Sequence, residues 1–339
     1  MPFKSTDLAP YGIVLQPGCI VFDEAQRDAL AMDTALITVT NAGIPVSLTN
    51  YMDPKVIKVL TAPMAATQIF PERKIGDATT LTATFPYIEY TGETATYGDY
   101  SENGQSGANA NFPQRQQYGF QTNTSWGDLE IEFYGAAKLN WAGEKQEASA
   151  LVLNRKMNNI YLYGVSGLQN YGITNDPNLI ATDTPVTVSG HSTWATKAAA
   201  GDALAIFADF QKAIGNIITQ SAGLLDQNSE FVVGIPPACA VYLQTSTTYG
   251  VTVEDMVKKN FPKLEIVNVP EFTSTGSGNL MYVTAKSVDG QPVGECGFAE
   301  KLRAHGVVRK SSSFTEKKSA RTFGASIYRP FAICIILGI

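Results

Sequence analysis

The chain has 339 residues, 44% of them hydrophobic, and a formal net charge of −6. That apolar fraction supports one large core or two smaller ones and argues against bulk disorder. The acidic balance argues against a dedicated nucleic-acid reader coated in basic side chains.

Residues 1–54 read as an arm broken by Pro10, Pro17 and Pro45, with one short helix over 24–35 capped by Asp23. Ala25, Leu30 and Ala31 share one side of it. The chain turns more apolar from Lys55, and residues 55–78 lead into the fold. Leu81, Ala83 and Phe85 then alternate with threonines, and Ile88 and Tyr90 follow. This β-branched and aromatic alternation predicts a strand. A return limb alternates through Tyr118, Phe120, Thr122, Thr124 and Trp126, and Leu129, Ile131 and Phe133 extend it as strand past Gly127. Between the limbs, residues 98–113 have almost nothing to bury. The stretch is either a floppy surface loop or the tip of an extended hairpin over 79–127 that orders against a neighbouring subunit. On the second reading Tyr97, Tyr100, Glu102, Asn111, Phe112 and Arg115 are the candidate contact residues.

Over 140–165, Ala142, Ala150, Leu153, Met157, Ile160, Tyr161 and Gly164 recur at helical spacing. Glu144, Lys145, Glu147, Asn154, Arg155 and Asn158 face elsewhere. Asn140 is a candidate cap, and Gly164 and Gly167 close the far end. The result is a rod of about 35 Å within a segment spanning 128–182. A Thr/Ser-rich connection, 181–196, marks a boundary. The next helix, over 202–221, turns Leu204, Phe207, Phe210, Ile214, Ile217 and Ile218 inward and stops at Gly223. A strand over 230–235, a helix started by Pro236-Pro237, a capping box of Thr252 with Asp255 and strands over 264–269 and 280–285 complete a mixed subdomain, 183–298. Residues 299–339 are strand-rich, and the apolar run 331–337 is a buried strand, far short of the roughly 20 residues that span a bilayer.

Residue types that carry chemistry are scarce. His191 and His305 lack a second ligand at metal-binding spacing, and Gly164-Val-Ser166-Gly167 does not fit a nucleophile elbow. Gly276-Ser-Gly278 lacks the third glycine of a dinucleotide fingerprint. Glu130 and Glu132 share one face of the strand expected there, most simply a solvated face. Four cysteines, Cys19, Cys239, Cys296 and Cys334, lie far apart with no Cys-x-x-Cys, which is neither a zinc site nor a disulfide framework and fits a reducing cytoplasm. No secretory leader is expected, because Lys4 is not followed by an apolar core region. No catalytic residue, cofactor or metal site is therefore assigned. The C-terminal stretch is locally basic, with Lys301, Arg303, Arg309, Lys310, Lys317, Lys318, Arg321 and Arg329 against Glu300 and Glu316. It is a charged solvated strand pair, or a surface that meets phosphate or an acidic partner subunit without reading bases. Arg309, Lys310, Lys317 and Lys318 are the lumen- or partner-facing candidates.

Residues 167–177, GLQNYGITNDP, and the closing ASIYRPFAI, residues 325–333, resemble the corresponding stretches of tailed-phage major capsid proteins of the Hong Kong 97 type. The ordered series resembles that family from about residue 55 to the end. In it, 79–127 looks like the extended loop, 140–165 like the spine helix and 183–298 like the axial domain. The closing strands around Tyr328-Arg329-Pro330 look like the return into the peripheral domain. The resemblance implies an α+β fold with spine helix, extended β-hairpin loop, peripheral domain and axial domain. It implies a non-enzymatic shell subunit of an icosahedral or prolate bacteriophage capsid, assembled in the host bacterial cytoplasm into hexamers and pentamers around double-stranded DNA. The implied partners are other copies, a portal protein and packaged DNA in non-specific contact, with a decoration protein left open and no membrane. The arm is too short for a built-in scaffolding extension, so a separate scaffolding protein is expected. An encapsulin-type compartment shares the fold and is the runner-up; an α/β enzyme with an unrecognised site is third. Some relatives cross-link a hairpin lysine to a neighbour's asparagine, but residues 98–113 contain no lysine. Mature shells should therefore run as single subunits on denaturing gels, and a covalent ladder would refute this.

Overall fold

A computed structural model of the chain describes residues 63–136, 139–273 and 278–339; the expected arm, its short helix and Cys19 lie outside them. By its contacts the chain divides into two units, residues 60–131 with 141–339, and residues 1–59 with 132–140. Among the described residues every helix and strand belongs to the first unit, apart from the second half of one helix.

A single helical turn, α1 (Ala66–Ile69), leads into β1 (Glu72–Lys74). Four strands follow: β2 (Thr82–Thr84), β3 (Tyr87–Glu93), β4 (Gln105–Asn111) and β5 (Gln114–Gln116). The long strand β6 (Tyr118–Gly127) runs directly into α2 (Asp128–Ala136), and α3 (Trp141–Tyr163) is the expected rod. Next come α4 (Trp194–Ala199), α5 (Ala203–Gln220), β7 (Phe231–Ile235), α6 (Pro237–Ala240), α7 (Val253–Asn260), β8 (Leu264–Asn268) and β9 (Leu280–Ala285). A two-residue ribbon, β10 (Ser287–Val288) with β11 (Gln291–Pro292), precedes β12 (Gly294–Ala304), β13 (Val308–Arg309), β14 (Ser313–Ile327) and β15 (Ile333–Leu337).

β14 is the organising strand of a five-stranded sheet. It runs antiparallel to β6 from Ser313↔Gly127 to Thr322↔Tyr118, and antiparallel also to β12 and β13; β1 adds to β12 in parallel. One face of this sheet lies on α3. Phe120, Thr122, Thr124 and Trp126 alternate toward it along β6 while their neighbours are exposed, the period of two that strand geometry imposes. From β14, Glu316 accepts from Gln146 Nε2 at 3.1 Å and Lys318 donates to Ser149 Oγ at 2.9 Å. A second sheet has the order β15-β9-β7-β8, with β7 and β8 parallel and the other pairs antiparallel. It packs on α5, whose buried set includes Ile206, Phe207, Phe210, Ile214 and Ile217. One continuous cluster of buried side chains joins the two sheets, from Met157 and Tyr161 through Phe231 to Ala325 and Ile336. The capping box is present: Asp255 N donates to Thr252 Oγ1 at 3.2 Å and Thr252 N to Asp255 Oδ2 at 3.4 Å.

Several expectations need correction. Residues 128–136 are helix, not strand. β14 begins at Ser313, opposite Gly127, so no strand is left for residues 129–133 to pair with. Asp128 and Glu130 in the first turn suit a helix N-terminus instead. The return limb β6 does not close the hairpin either. The hairpin is β3–β4 with β2–β5 at its root, and β6 belongs to the sheet of β14. Asn158 faces the core, accepting from Ala66 N at 3.0 Å, because a polar group can be buried wherever its bonds are met. Leu204 points out, 62% exposed, while Asp209 takes an inward position on α5 and binds Lys197 and Trp194. Finally, β15 joins the sheet of β7 to β9 and β12 joins that of β14, so the chain crosses between the sheets differently from the boundary expected at 298/299.

α3 stops at Gly164, whose φ is +64° and where a Cβ would lie 2.4 Å from the carbonyl oxygen of Asn170. The same corner meets β14 at Gly324: φ is +75°, and a Cβ would sit 2.3 Å from Tyr171 O and 2.5 Å from Asn170 Oδ1. Gly324→Ala should therefore destabilise the subunit by about 1–3 kcal/mol, measured as a lowered urea midpoint. An unchanged midpoint would mean that the corner can move away from β14.

Candidate functional site

The β3–β4 ribbon is the most exposed structure in the first unit. Its register, from Tyr87↔Asn111 to Glu93↔Gln105, sorts its side chains, because directly opposed residues share a face. Ile88, Tyr90, Ala108 and Ala110 lie on one face; Glu89, Thr91, Glu93, Gln105 and Asn109 lie on the other. The first face is apolar and uncovered, with Ile88 63% and Tyr90 87% exposed. A lone two-stranded ribbon is marginal in water, so this one carries an amphipathic pattern without a core of its own. Of the expected contact residues, Tyr97 and Tyr100 stand free at 89% and 102% exposure, Phe112 at 57%, and Glu102 and Asn111 are also exposed.

Arg115 departs from that expectation. It is buried at the hairpin root, its Nη2 2.7 Å from Asp176 Oδ2 and its guanidinium 4.9 Å from the centre of the Tyr171 ring. The same corner, residues 167–177, supplies two more ties. Gln116 N donates to Gln169 O at 2.9 Å, and Asn170 Nδ2 reaches both Gln116 O at 3.0 Å and Thr322 O at 3.1 Å. Tyr87, at the start of the ribbon, donates to Ile327 O at 3.2 Å. Burial pushes its hydroxyl pKa up, with the nearby Arg115 charge opposing. Nothing in the sequence marked Arg115 as buried: Gln114 and Gln116 make it look solvated, and Asp176 is distant along the chain.

The basic candidates also divide. Lys318 is buried against α3 and does not face a lumen or a partner, because strand alternation turns it to the helix side of the sheet. Lys310 and Lys317 are exposed. Arg309 is 70% exposed in its side chain and stands 4.0 Å from Asp128. Arg303 lies 3.5 Å from Glu300, and Lys301 pairs with Glu72.

The remaining titratable groups are occupied structurally. Glu130, on a helix and not a strand, accepts from Lys145, Trp141 and Gly127, and the Lys145 bond foremost lowers its pKa to about 2. A cleft of about 360 Å³ beside α3 contains Glu72, Tyr161 and Lys301, but Glu72 already accepts from both others, and burial pushes the Tyr161 hydroxyl pKa up. Among the described residues no group of three or more His, Cys, Asp or Glu side chains gathers where a metal ion could sit. Among them, too, no helix is long and apolar enough to cross a membrane. The uncovered apolar face of the ribbon is suited to binding another protein surface.

A model of the Pa193 gp26 major capsid protein family matches residues 35–338. No curated protein sequence matches. Among solved structures, the fold is similar to the capsid of Myoviridae phage XM1, with a TM-score of 0.71 at 12% identity over 87% of this chain and 99% of that one. It is similar to the capsid of a native GTA particle, TM-score 0.59 at 8% identity over 91% and 99%. A virus-like particle from Pyrococcus furiosus is a further match, TM-score 0.50 at 11% identity over 79% and 90%.

Removing one partner of the root pair leaves the other charge buried and unpaired. Arg115→Ala should cost about 3–5 kcal/mol in stability, and Arg115→Met with Asp176→Leu distinctly less. Urea denaturation of the three proteins checks the order; equal losses for both variants would show that the charges themselves are unimportant there.

Proposed function

This chain belongs to the Pa193 gp26 major capsid protein family and is a structural subunit of a phage capsid; from that premise we propose how it builds the shell. Copies assemble into hexamers and pentamers, and the β3–β4 ribbon is the principal reach of each subunit onto its neighbour. The observation that carries this reading is the ribbon's uncovered apolar face, Ile88 and Tyr90 with the tip tyrosines Tyr97 and Tyr100. Such a surface gains by burial, at about 25 cal/mol per Å² of apolar area, only when another subunit covers it. The sheet on α3 and the sheet on α5 form the rigid body from which the ribbon projects.

In this reading the chain has no catalytic role, and the shell assembles in the host cytoplasm with a separate scaffolding protein and a portal protein. It encloses double-stranded DNA through contacts that read no sequence. An encapsulin-type compartment shares the fold, but the family match favours the virion shell.

Negative-stain microscopy and light scattering of the purified chain, with and without its neighbouring gene products, test the proposal. Closed shells, tubes, or rings of five or six are expected. A persistent monomer of 36.5 kDa at high concentration, even with those partners present, would overturn it.

A further inference from the structure

Asparagine amides in this subunit are mostly tied down where the chain folds on itself. Asn158 Nδ2 donates to Glu271, Asn170 Nδ2 to Gln116 O and Thr322 O, Asn175 Nδ2 to Tyr163 O, and Asn216 Nδ2 to Asp183. A side chain held in this way cannot swing its amide carbon onto the N–H of the next residue. Asn103 differs in two respects. It is the one asparagine of the chain that is followed by glycine, and it lies in the turn between β3 and β4, residues 94–104, where every residue is exposed.

The backbone N–H of Asn103 reaches Ser101 Oγ at 3.4 Å. Its side-chain amide and the N–H of Gly104 have no hydrogen-bond partner among the described residues. The turn itself demands the glycine: φ at Gly104 is +94°, and a Cβ there would lie 3.2 Å from Ala95 N. A residue without a Cβ leaves its own N–H unshielded. The fold therefore places an unheld amide beside an unshielded backbone nitrogen, in water.

We propose that Asn103–Gly104 is a self-modification site, at which the free subunit deamidates without an enzyme, and that the product disfavours assembly. The Gly104 nitrogen gives its proton to hydroxide and attacks Asn103 Cγ. The new N–C bond closes a five-membered succinimide ring, and the Cγ–Nδ2 bond breaks as ammonia leaves with a proton from water. Water then opens the ring at either carbonyl. One opening gives aspartate; the other gives isoaspartate, whose backbone runs through the former side chain and is one carbon longer. Both products add a carboxylate to a turn that already exposes Asp99 and Glu102, in a stretch, residues 86–112, with neither lysine nor arginine. Isoaspartate also lengthens the backbone just before β4, whose pairing with β3 ends at Glu93↔Gln105. The assembly half of the inference rests on the capsid-subunit reading, with the ribbon as the reach of each subunit; the chemistry at Asn103 does not.

The test ages the purified full chain at mildly alkaline pH and follows each asparagine by peptide mass spectrometry, with isoaspartate labelled by an isoaspartyl methyltransferase. Asn103 should convert about tenfold faster than any other asparagine, since only its neighbour lacks a Cβ. The rate should rise with pH, because the attacking nitrogen must lose its proton. Asn103→Gln, which closes the larger ring far more slowly, should abolish the signal; if it lowers the melting temperature, Asn103→Ser replaces it. No conversion, or conversion no faster than at the other asparagines, would overturn the site. Assembly is then read by light scattering and microscopy. Aged wild-type chain should lose shell yield several-fold relative to fresh chain, while aged Asn103→Gln keeps its yield. Modified Asn103 should be depleted from the shells and enriched in the unassembled subunits. Equal losses in both proteins, or equal modification in shells and free subunits, would overturn the effect on assembly and leave the capsid reading intact. A fresh wild-type chain that never assembles would instead remove the capsid reading, with the site itself still decided by the peptide map.

Discussion

The corner after the long helix, residues 167–177, is the joint through which helix, hairpin and central strand are fixed to one another. Asn170 holds both the hairpin root and β14 through one amide, Tyr171 supports the Arg115 guanidinium, and Asp176 neutralises it. Gly324 lets the backbone of β14 approach within reach of the same corner. A buried guanidinium is costly unless its charge and hydrogen bonds are met. The hairpin root is therefore seated only when the whole corner is formed, and the ribbon's direction follows from that seating.

The same logic fixes the sheet on the helix. Glu316 and Lys318 point toward α3 from alternate positions of the strand and find Gln146 and Ser149. Apolar packing alone tolerates small slips, whereas a slip of one residue along β14 would strand both charges. Beside α5, Lys197 and Asp209 pair at 2.6 Å, both fully buried, and Trp194 Nε1 donates to the same carboxylate at 2.7 Å. These buried pairs add little net stability against apolar replacements; beside α5 the Asp209 carboxylate meets both the Lys197 ammonium and the Trp194 indole N–H.

In the proposed assembly, two packed sheets carrying one unsupported ribbon suit reversible association. The ribbon exposes its apolar residues Ile88 and Tyr90 beside the exposed carboxylates Glu89 and Glu93. In the proposed assembly a neighbour covers this surface, and the entropy of ordering is lost at that step. Many such contacts around a shell would be individually weak and jointly strong, so that a wrongly placed subunit could leave.

The sequence by itself determined the elements whose pattern is local. The rod, the helix of Phe207 to Ile217, the Pro-Pro helix, the Thr252–Asp255 box and the strands of the second sheet all follow from periodicity and caps, since neighbouring residues decide those. It also showed that residues 98–113 have almost nothing to bury, and the ordered series of elements carried the family resemblance. The tertiary structure decided everything that depends on distant partners. Alternation in Leu129, Ile131 and Phe133 suits a strand, yet β14 offers no edge there and the segment coils. Arg115 and Lys318 read as surface cations until Asp176 and Ser149 are brought beside them by chain far away in sequence. β15 reads as part of the closing strands, but its edge is completed by β9. Local patterns report which face a residue prefers; only the fold determines what stands opposite it.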